Sequence, residues 1–373
     1  MSNVSHRSEQ PAQWEGPRGF AQNMRRTPSR RDVMRAGGAV AVGGTLAWIL
    51  AACGIDTNPA GGAGGDKKQP VIGFLYDDFG NPRYQKGDVP GFEAAAKKLG
   101  FTPLSQGVSN DESAQLSQLT QMLTRGVDCI VLAATNNDTA PTLVAQAAAS
   151  GVPVISYNTL ILDAKIEAYV GRDSTDVGVA LAEAAVEAAP EGNYVLVLGD
   201  PSYDVARDKA AGKMKVLQPL IDSGKITIVS EQWNTGWSPD SAQKQVEQAL
   251  TKANNDVVAV LASNDGMAVG ALAALKAQGL EKKVFVTGED AEPAFTDQFA
   301  SGVNGVSNWT VYDKMGAYAA EAAYAVVTGG ALTGNGTIDN GAGNIPWYKP
   351  ATMNVSPENL EQFVADYPWW GVN

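Results

Sequence analysis

The chain has 373 residues, with 28 basic and 40 acidic side chains and a net charge of −12. That balance repels phosphate backbones, so nucleic acid is not an expected partner. The only histidine is His6 and the only cysteines are Cys53 and Cys129; zinc sites and histidine-based triads are thereby excluded, and no cofactor is expected.

Residues 1–52 read as an export leader. A charged stretch containing Ser29-Arg30-Arg31-Asp32 precedes an apolar run from Ala36 to Leu50. That run is shorter than the roughly 20 residues of a spanning helix, so it reads as a signal core. The paired arginines resemble a twin-arginine signal, with Val33 and Met34 where bulkier apolar residues are usual; this route and general secretion both stay open, and Met24 is an alternative start. Leu50-Ala51-Ala52-Cys53 looks like a lipobox, which marks Cys53 for lipidation and a membrane anchor on the extracytoplasmic face. From Cys53 onward there are 21 basic and 37 acidic residues, a balance of −16.

Residues 53–69 read as a tether. The 16 residues Gly54 to Gln69 are rich in Gly, Ala, Asn and Asp, and span on the order of 20–24 Å. The glycines between Gly61 and Gly65 lack the Gly-Lys-Ser/Thr ending of a phosphate loop and follow no strand.

Short apolar runs then alternate with amphipathic segments. Strands are expected at Val71–Tyr76, Thr102–Gln106, Cys129–Ala134 and Val152–Tyr157, with helices at Gln85–Leu99, Glu112–Arg125 and Ala140–Ser150. Gly100, Gly126 and Gly151 mark stops, each directly after a helix. Cys129 sits in an apolar run and reads as a small core residue. The rhythm restarts after a crossing strand at Ala168–Gly171, with Asp173 placed to cap a helix running to Ala188. Further strands are expected at Tyr194–Leu198, Ile226–Ser230, Val257–Ala262 and Val284–Thr287, and helices at Val205–Ile221, Ser241–Ala253 and Ala268–Gln278. This is an α/β pattern of two doubly wound parallel-sheet lobes. The expected partition is 70–172 plus 291–333 for the first lobe and 173–290 plus 334–373 for the second, with a three-segment hinge near Gly171–Asp173, Glu289–Ala291 and Thr333–Tyr348.

Ligands of such sheets sit beyond the carboxyl ends of the strands. There the sequence places Asp77, Asp78, Asn81, Arg83 and Tyr84, then Asn158 and Thr159. The second series adds Asp200, Tyr203 and Asp204, then Trp233 and Trp237, Asn264 and Asp265, Glu289 and Asp290, and finally Tyr312 and Asp313. Planar polar groups mixed with flat rings suit a sugar, whose hydroxyls donate and accept while its C–H face is apolar. Each Asp or Asn also has a plain reading as a helix cap or turn.

From about Val71 to Asn359 the chain resembles the type I periplasmic sugar-binding proteins, most closely the xylose-binding branch. The resemblance rests on Asp77-Asp78 with Arg83-Tyr84, Gln115-Leu116-Ser117-Gln118, Arg125-Gly126-Val127-Asp128, Met214-Lys215-Val216-Leu217, Asp222-Ser223-Gly224-Lys225-Ile226, Gln232-Trp233 with Gly236-Trp237, Ala262-Ser263-Asn264-Asp265 and Gly288-Glu289-Asp290-Ala291. It implies that Arg83, Asn158, Trp237, Asn264 and Asp290 line a sugar cleft, with Tyr84 where the family has an aromatic ring and Trp237 stacking on the sugar. Thr159, Tyr203, Asp204 and Asp313 complete the expected ligand-binding set.

The chain departs from that branch at several points. Asn158-Thr159 stands in place of Asp-Arg, Tyr203 and Val205 replace an acidic residue and an Asn, and Asp313 falls where a Lys is expected. An unmatched buried polar contact costs about 1–3 kcal/mol, so the sugar stays open among pentoses, hexoses and polyols. The resemblance further implies a monomer that closes on its ligand and is read by an ABC permease with its ATPase. A sensor or chemotaxis partner using the same cleft is the alternative. A carbohydrate hydrolase is the remote one, because adjacent carboxylates such as Glu289 and Asp290 on a strand point to opposite faces.

Overall fold

The computed structural model describes residues 69–371. The expected leader, Cys53 and the tether through Lys68 lie outside the described residues.

The chain opens with β1 (Val71–Tyr76), whose residues beyond Val71 are all buried. A single π turn at Tyr84–Asp88 leads into α1 (Val89–Leu99). Pro90 has no N–H to donate to Lys86, and the preceding N–H of Val89 reaches back to the Tyr84 carbonyl. Gly100 ends α1 in the left-handed region at φ 82°. There follow β2 (Thr102–Gly107), α2 (Glu112–Thr124), β3 (Cys129–Leu132), α3 (Ala140–Ala149), β4 (Val154–Tyr157) and β5 (Ala168–Val170). Cys129 is buried and unpaired by a disulfide.

The chain then enters the second lobe with α4 (Ser174–Ala188), capped by Asp173 accepting from Asp176 N. In order come β6 (Gly192–Leu198), α5 (Asp204–Asp222), β7 (Ile226–Trp233), α6 (Pro239–Lys252), β8 (Ala259–Ala262), α7 (Asp265–Ala277), β9 (Phe285–Glu289), the short α8 (Pro293–Thr296) and β10 (Gly305–Thr310). It returns to the first lobe as α9 (Tyr312–Thr328), β11 (Gly336–Asp339) and β12 (Asn344–Tyr348), then crosses once more into β13 (Thr352–Val355) and α10 (Leu360–Asp366).

The first sheet runs β11-β12-β5-β4-β3-β1-β2 and the second β13-β10-β9-β8-β6-β7. All pairings are parallel except β11 with β12 and β10 with β13. In each sheet the opening strand has successors on both sides, β1 between β2 and β3, and β6 between β7 and β8. That reversal of strand order opens a crevice at the carboxyl ends.

The expected partition needs correction. Strand β10 pairs with β9 in the second sheet, so residues 291–310 do not belong to the first lobe. Strands β11 and β12 extend the first sheet beside β5, so residues 336–348 do not belong to the second. The crossings lie after β5, at Val311 and between β12 and β13. The cause is local. Strand β10 reads Gly-Val-Ser-Asn-Trp-Thr, which carries no apolar run, yet every residue in it is buried. Its polar side chains find remote partners: Ser307 Oγ bonds the Asp265 carboxylate at 2.7 Å and Asn308 donates to Asn354 at 2.8 Å.

Candidate functional site

The carboxyl ends of both sheets converge on a cavity of about 70 Å³. That is space for roughly five waters, on the order of 150 Å³ of liquid, about the bulk of one monosaccharide. Its walls carry Asp77, Asp78, Asn81, Arg83, Tyr84, Asn110, Asn158 and Arg172 from the first lobe and the first crossing. The second lobe supplies Tyr203, Val205, Lys209, Trp237, Asn264, Glu289 and Asp290.

Arg83 is braced rather than free. Its Nη2 and Nε donate to Asp88 at 2.9 and 3.2 Å, and its Nη1 donates to Asn158 Oδ1 at 3.0 Å. The guanidinium lies 4.0 Å over the Tyr312 ring. Tyr84 stacks on Tyr76 with ring centroids 4.8 Å apart, and its buried hydroxyl has no protein partner. Asp77 is similar: buried, with Oδ1 unpartnered. Burial pushes its carboxyl up to about 6, with Tyr84 and Arg83 only partly opposing.

Asn158 turns the chain with φ 63°, and its Oδ1 accepts from both Arg83 and Arg172. Its amide NH₂ has no protein partner among the described residues. Asn264 divides its roles in the same way: Oδ1 caps α7 by accepting from Met267 N at 2.9 Å, while Nδ2 has no protein partner among the described residues. Asp290, at φ 100°, accepts from the Tyr312 hydroxyl through Oδ1.

Trp237 sits at φ 53° after β7. Its ring covers the Gly199 backbone so closely that a Cβ there would lie 2.2 Å from it. Asp200 shapes this corner, accepting from Gly236 N at 2.6 Å and from Ser202 N at 2.9 Å. Tyr203 meets Trp237 edge-on at 5.9 Å and donates to Asn110 Oδ1 at 2.8 Å.

Three expected site residues are not on the cavity wall. Thr159 is buried behind it, because the turn at Asn158 closes with Thr159 N donating to the Tyr157 carbonyl at 2.7 Å. Asp204 is the first residue of α5, and its carboxylate is committed to Leu160 N at 2.6 Å and Val205 N at 2.7 Å. Asp313 lies one residue past Tyr312 on α9, a turn of about 100°, and lines an outer groove with Lys86, Pro90 and Trp369 instead.

The strand-end rule missed Arg172, Lys209 and Asn110 as wall residues, and strand alternation set Glu289 and Asp290 on opposite faces. Arg172 directly follows β5 and was open to that rule. Lys209 is one turn along α5 from Val205, so the two share a helix face. Glu289 and Asp290 both reach the cavity, since Asp290 leaves the strand with a positive φ and breaks the alternation. Glu289 is gripped by Arg172 and Lys209. Burial alone would raise its carboxyl, but these two cations hold it down at about 2. The arrangement provides fixed donors and acceptors around one small polar molecule.

Residues 72–331 match the model of the periplasmic binding protein domain. The chain is 37% identical over 297 residues to the D-xylose-binding periplasmic protein of Escherichia coli, covering 80% of this chain and 90% of that one. It is also 37% identical to the D-xylose-binding periplasmic protein of Haemophilus influenzae, over 80% of this chain and 89% of that one. Among solved structures it is similar to an ABC transporter solute binding protein from Clostridium phytofermentans with bound β-D-glucose, with TM-score 0.74 and 26% identity over 80% of this chain and 98% of that one. With its two sheets, its crossings and its cleft between them, the chain belongs to the periplasmic binding protein family.

Proposed function

We propose that the chain is the extracytoplasmic substrate-binding lipoprotein of an ABC-type sugar importer, capturing one monosaccharide or polyol between its lobes. The observation that carries this reading is the cavity itself, which has the volume of a single sugar and takes its polar wall from both lobes. A ligand bonded to both sides stabilises the closed form by its differential contacts. The relatives named above support a sugar as that ligand. The closed monomer is then read by a permease and its ATPase, and no covalent step is required. Among the described residues no helix is long and apolar enough to cross a membrane; the anchor in this reading is a lipid on Cys53.

Calorimetry with the full-length chain against pentoses, hexoses and polyols tests the ligand. At least one is expected to bind with one-to-one stoichiometry, and the absence of any binder would overturn the reading. Cys53→Ser is expected to lose palmitate labelling and move to the soluble fraction. Membrane association and labelling that survive the change would remove the anchor.

A further inference from the structure

Arg172 follows β5 at the first crossing, lines the cavity and is 4% exposed. Its Nε donates to Glu289 Oε1 at 2.5 Å, from the second lobe, and its Nη1 to Asn158 Oδ1 at 2.6 Å, from the first. Glu289 is held from its other oxygen by Lys209 Nζ, which also donates to the Ser263 carbonyl at 2.8 Å. The guanidinium plane is therefore fixed along two edges. Its Nη2 makes no hydrogen bond to the described residues. A guanidinium donates and never accepts, so this nitrogen offers only donors to a molecule in the cavity it lines.

The two arginines on the wall thus differ. Arg83 turns its fork onto Asp88 and acts as a brace. Arg172 keeps a fixed donor toward the ligand space. On other parts of the wall, Asp77 Oδ1 lacks a protein donor, and Asp290 holds its Tyr312 bond through Oδ1 alone. These carboxylates call for donors.

We infer that Arg172 is a specificity-determining contact, donating through Nη2 to a ring or hydroxyl oxygen of the bound sugar. Glu289 and Lys209 are the positioning residues that aim it. The ligand is then oriented, with an oxygen that only accepts at Arg172 and donating hydroxyls at Asp77 and Asp290. This rests on the sugar-binding reading and says which side chain selects among sugars.

The test is calorimetric affinity of full-length wild type, Arg172→Gln, Arg172→Lys and Glu289→Gln for D-xylose, D-glucose and their monodeoxy analogues. Wild type is expected to bind a parent sugar and to discriminate against the analogue lacking the oxygen that faces Arg172. Arg172→Gln is expected to bind the parent about tenfold more weakly or worse and to lose that discrimination while keeping the others. Glu289→Gln should move the analogue profile the same way by a smaller factor, which a merely structural residue would not do. Should Arg172→Gln fail to fold, Arg172→Lys, which keeps the charge without the fork, must lose the same discrimination. Parent affinity within about twofold of wild type with an unchanged analogue profile overturns the inference. So does uniform weakening across every analogue. A wild type that binds no pentose, hexose or polyol overturns the sugar-binding reading as well, and one that prefers another of these sugars is tested with that sugar's monodeoxy analogues.

Discussion

Lys213 is a cation with no carboxylate in contact among the described residues. It is fully buried, and its Nζ donates to Ser263 Oγ at 2.8 Å and the Leu261 carbonyl at 3.1 Å. Burial lowers its ammonium, and repulsion from Lys209 lowers it further, to about 7. The folded chain therefore binds fewer protons at this site than the unfolded chain between about pH 7 and 10.5. Stability rises with pH across that window and is lost as pH falls toward 7, with a slope of up to about 1.4 kcal/mol per pH unit. Lys213→Met is expected to remove this component, read as the difference between urea unfolding free energies of the two proteins from pH 7 to 10. Parallel pH profiles would refute it. Lys213 was not legible in the sequence, because a lysine inside an amphipathic helix ordinarily faces water. Asn158, Trp237, Asn264 and Asp290 were legible as wall residues, since each follows an apolar strand directly or within a short loop. Thr159 failed for a different reason: a positive φ at Asn158 redirects the chain, and an asparagine permits that turn without requiring it.

At the scale of elements, the lobes share one packing device. Helices α4 and α5 touch through reciprocal glycines: a Cβ on Gly178 would lie 2.2 Å from the Lys209 carbonyl oxygen, and one on Gly212 would lie 2.1 Å from that of Thr175. Helix α9 and α1 with the turn that leads into it repeat the device, with Gly91 against Asp313 and Gly316 against Asp88. Backbones this close leave no room for a methyl group, so the helices must separate if one is added. Gly212→Ala is expected to cost about 1–3 kcal/mol in urea unfolding. Because α5 also carries Lys209, it should weaken sugar binding although no wall residue is substituted. Unaltered stability would mean that the pair adjusts freely. The alternation of strands and helices could be read from apolar runs and glycine stops. Strand β10 could not, because Ser307 and Asn308 are satisfied by Asp265 and Asn354, distant in sequence.

Over the whole molecule, closure depends on direct contacts between the lobes as well as on the ligand. Asp204 Oδ2 accepts from Leu160 N at 2.6 Å, Asn137 N donates to the Ser202 carbonyl at 3.1 Å, and Tyr203 reaches Asn110, each pair joining opposite lobes. These bonds favour the closed form whatever the ligand is. Asp204→Ala is expected to weaken every bound sugar alike, by about 5–30-fold, as loss of about 1–2 kcal/mol of closure energy requires. Small-angle scattering of the ligand-free variant should show a larger radius of gyration than wild type. Equal radii and equal affinities would exclude a latch. The sequence located Asp204 at the right strand end, but whether such a carboxylate meets ligand or the facing lobe depends on how the lobes close.

Asn158, Trp237 and Asp290 hold φ angles of 63°, 53° and 100°. Glycine adopts these angles without penalty and tryptophan does not. Recognition and robustness therefore pull in opposite directions at the same positions. A population evolved only for heat resistance would drift there toward glycine, and its survivors would be sturdier proteins that no longer tell one nutrient from another.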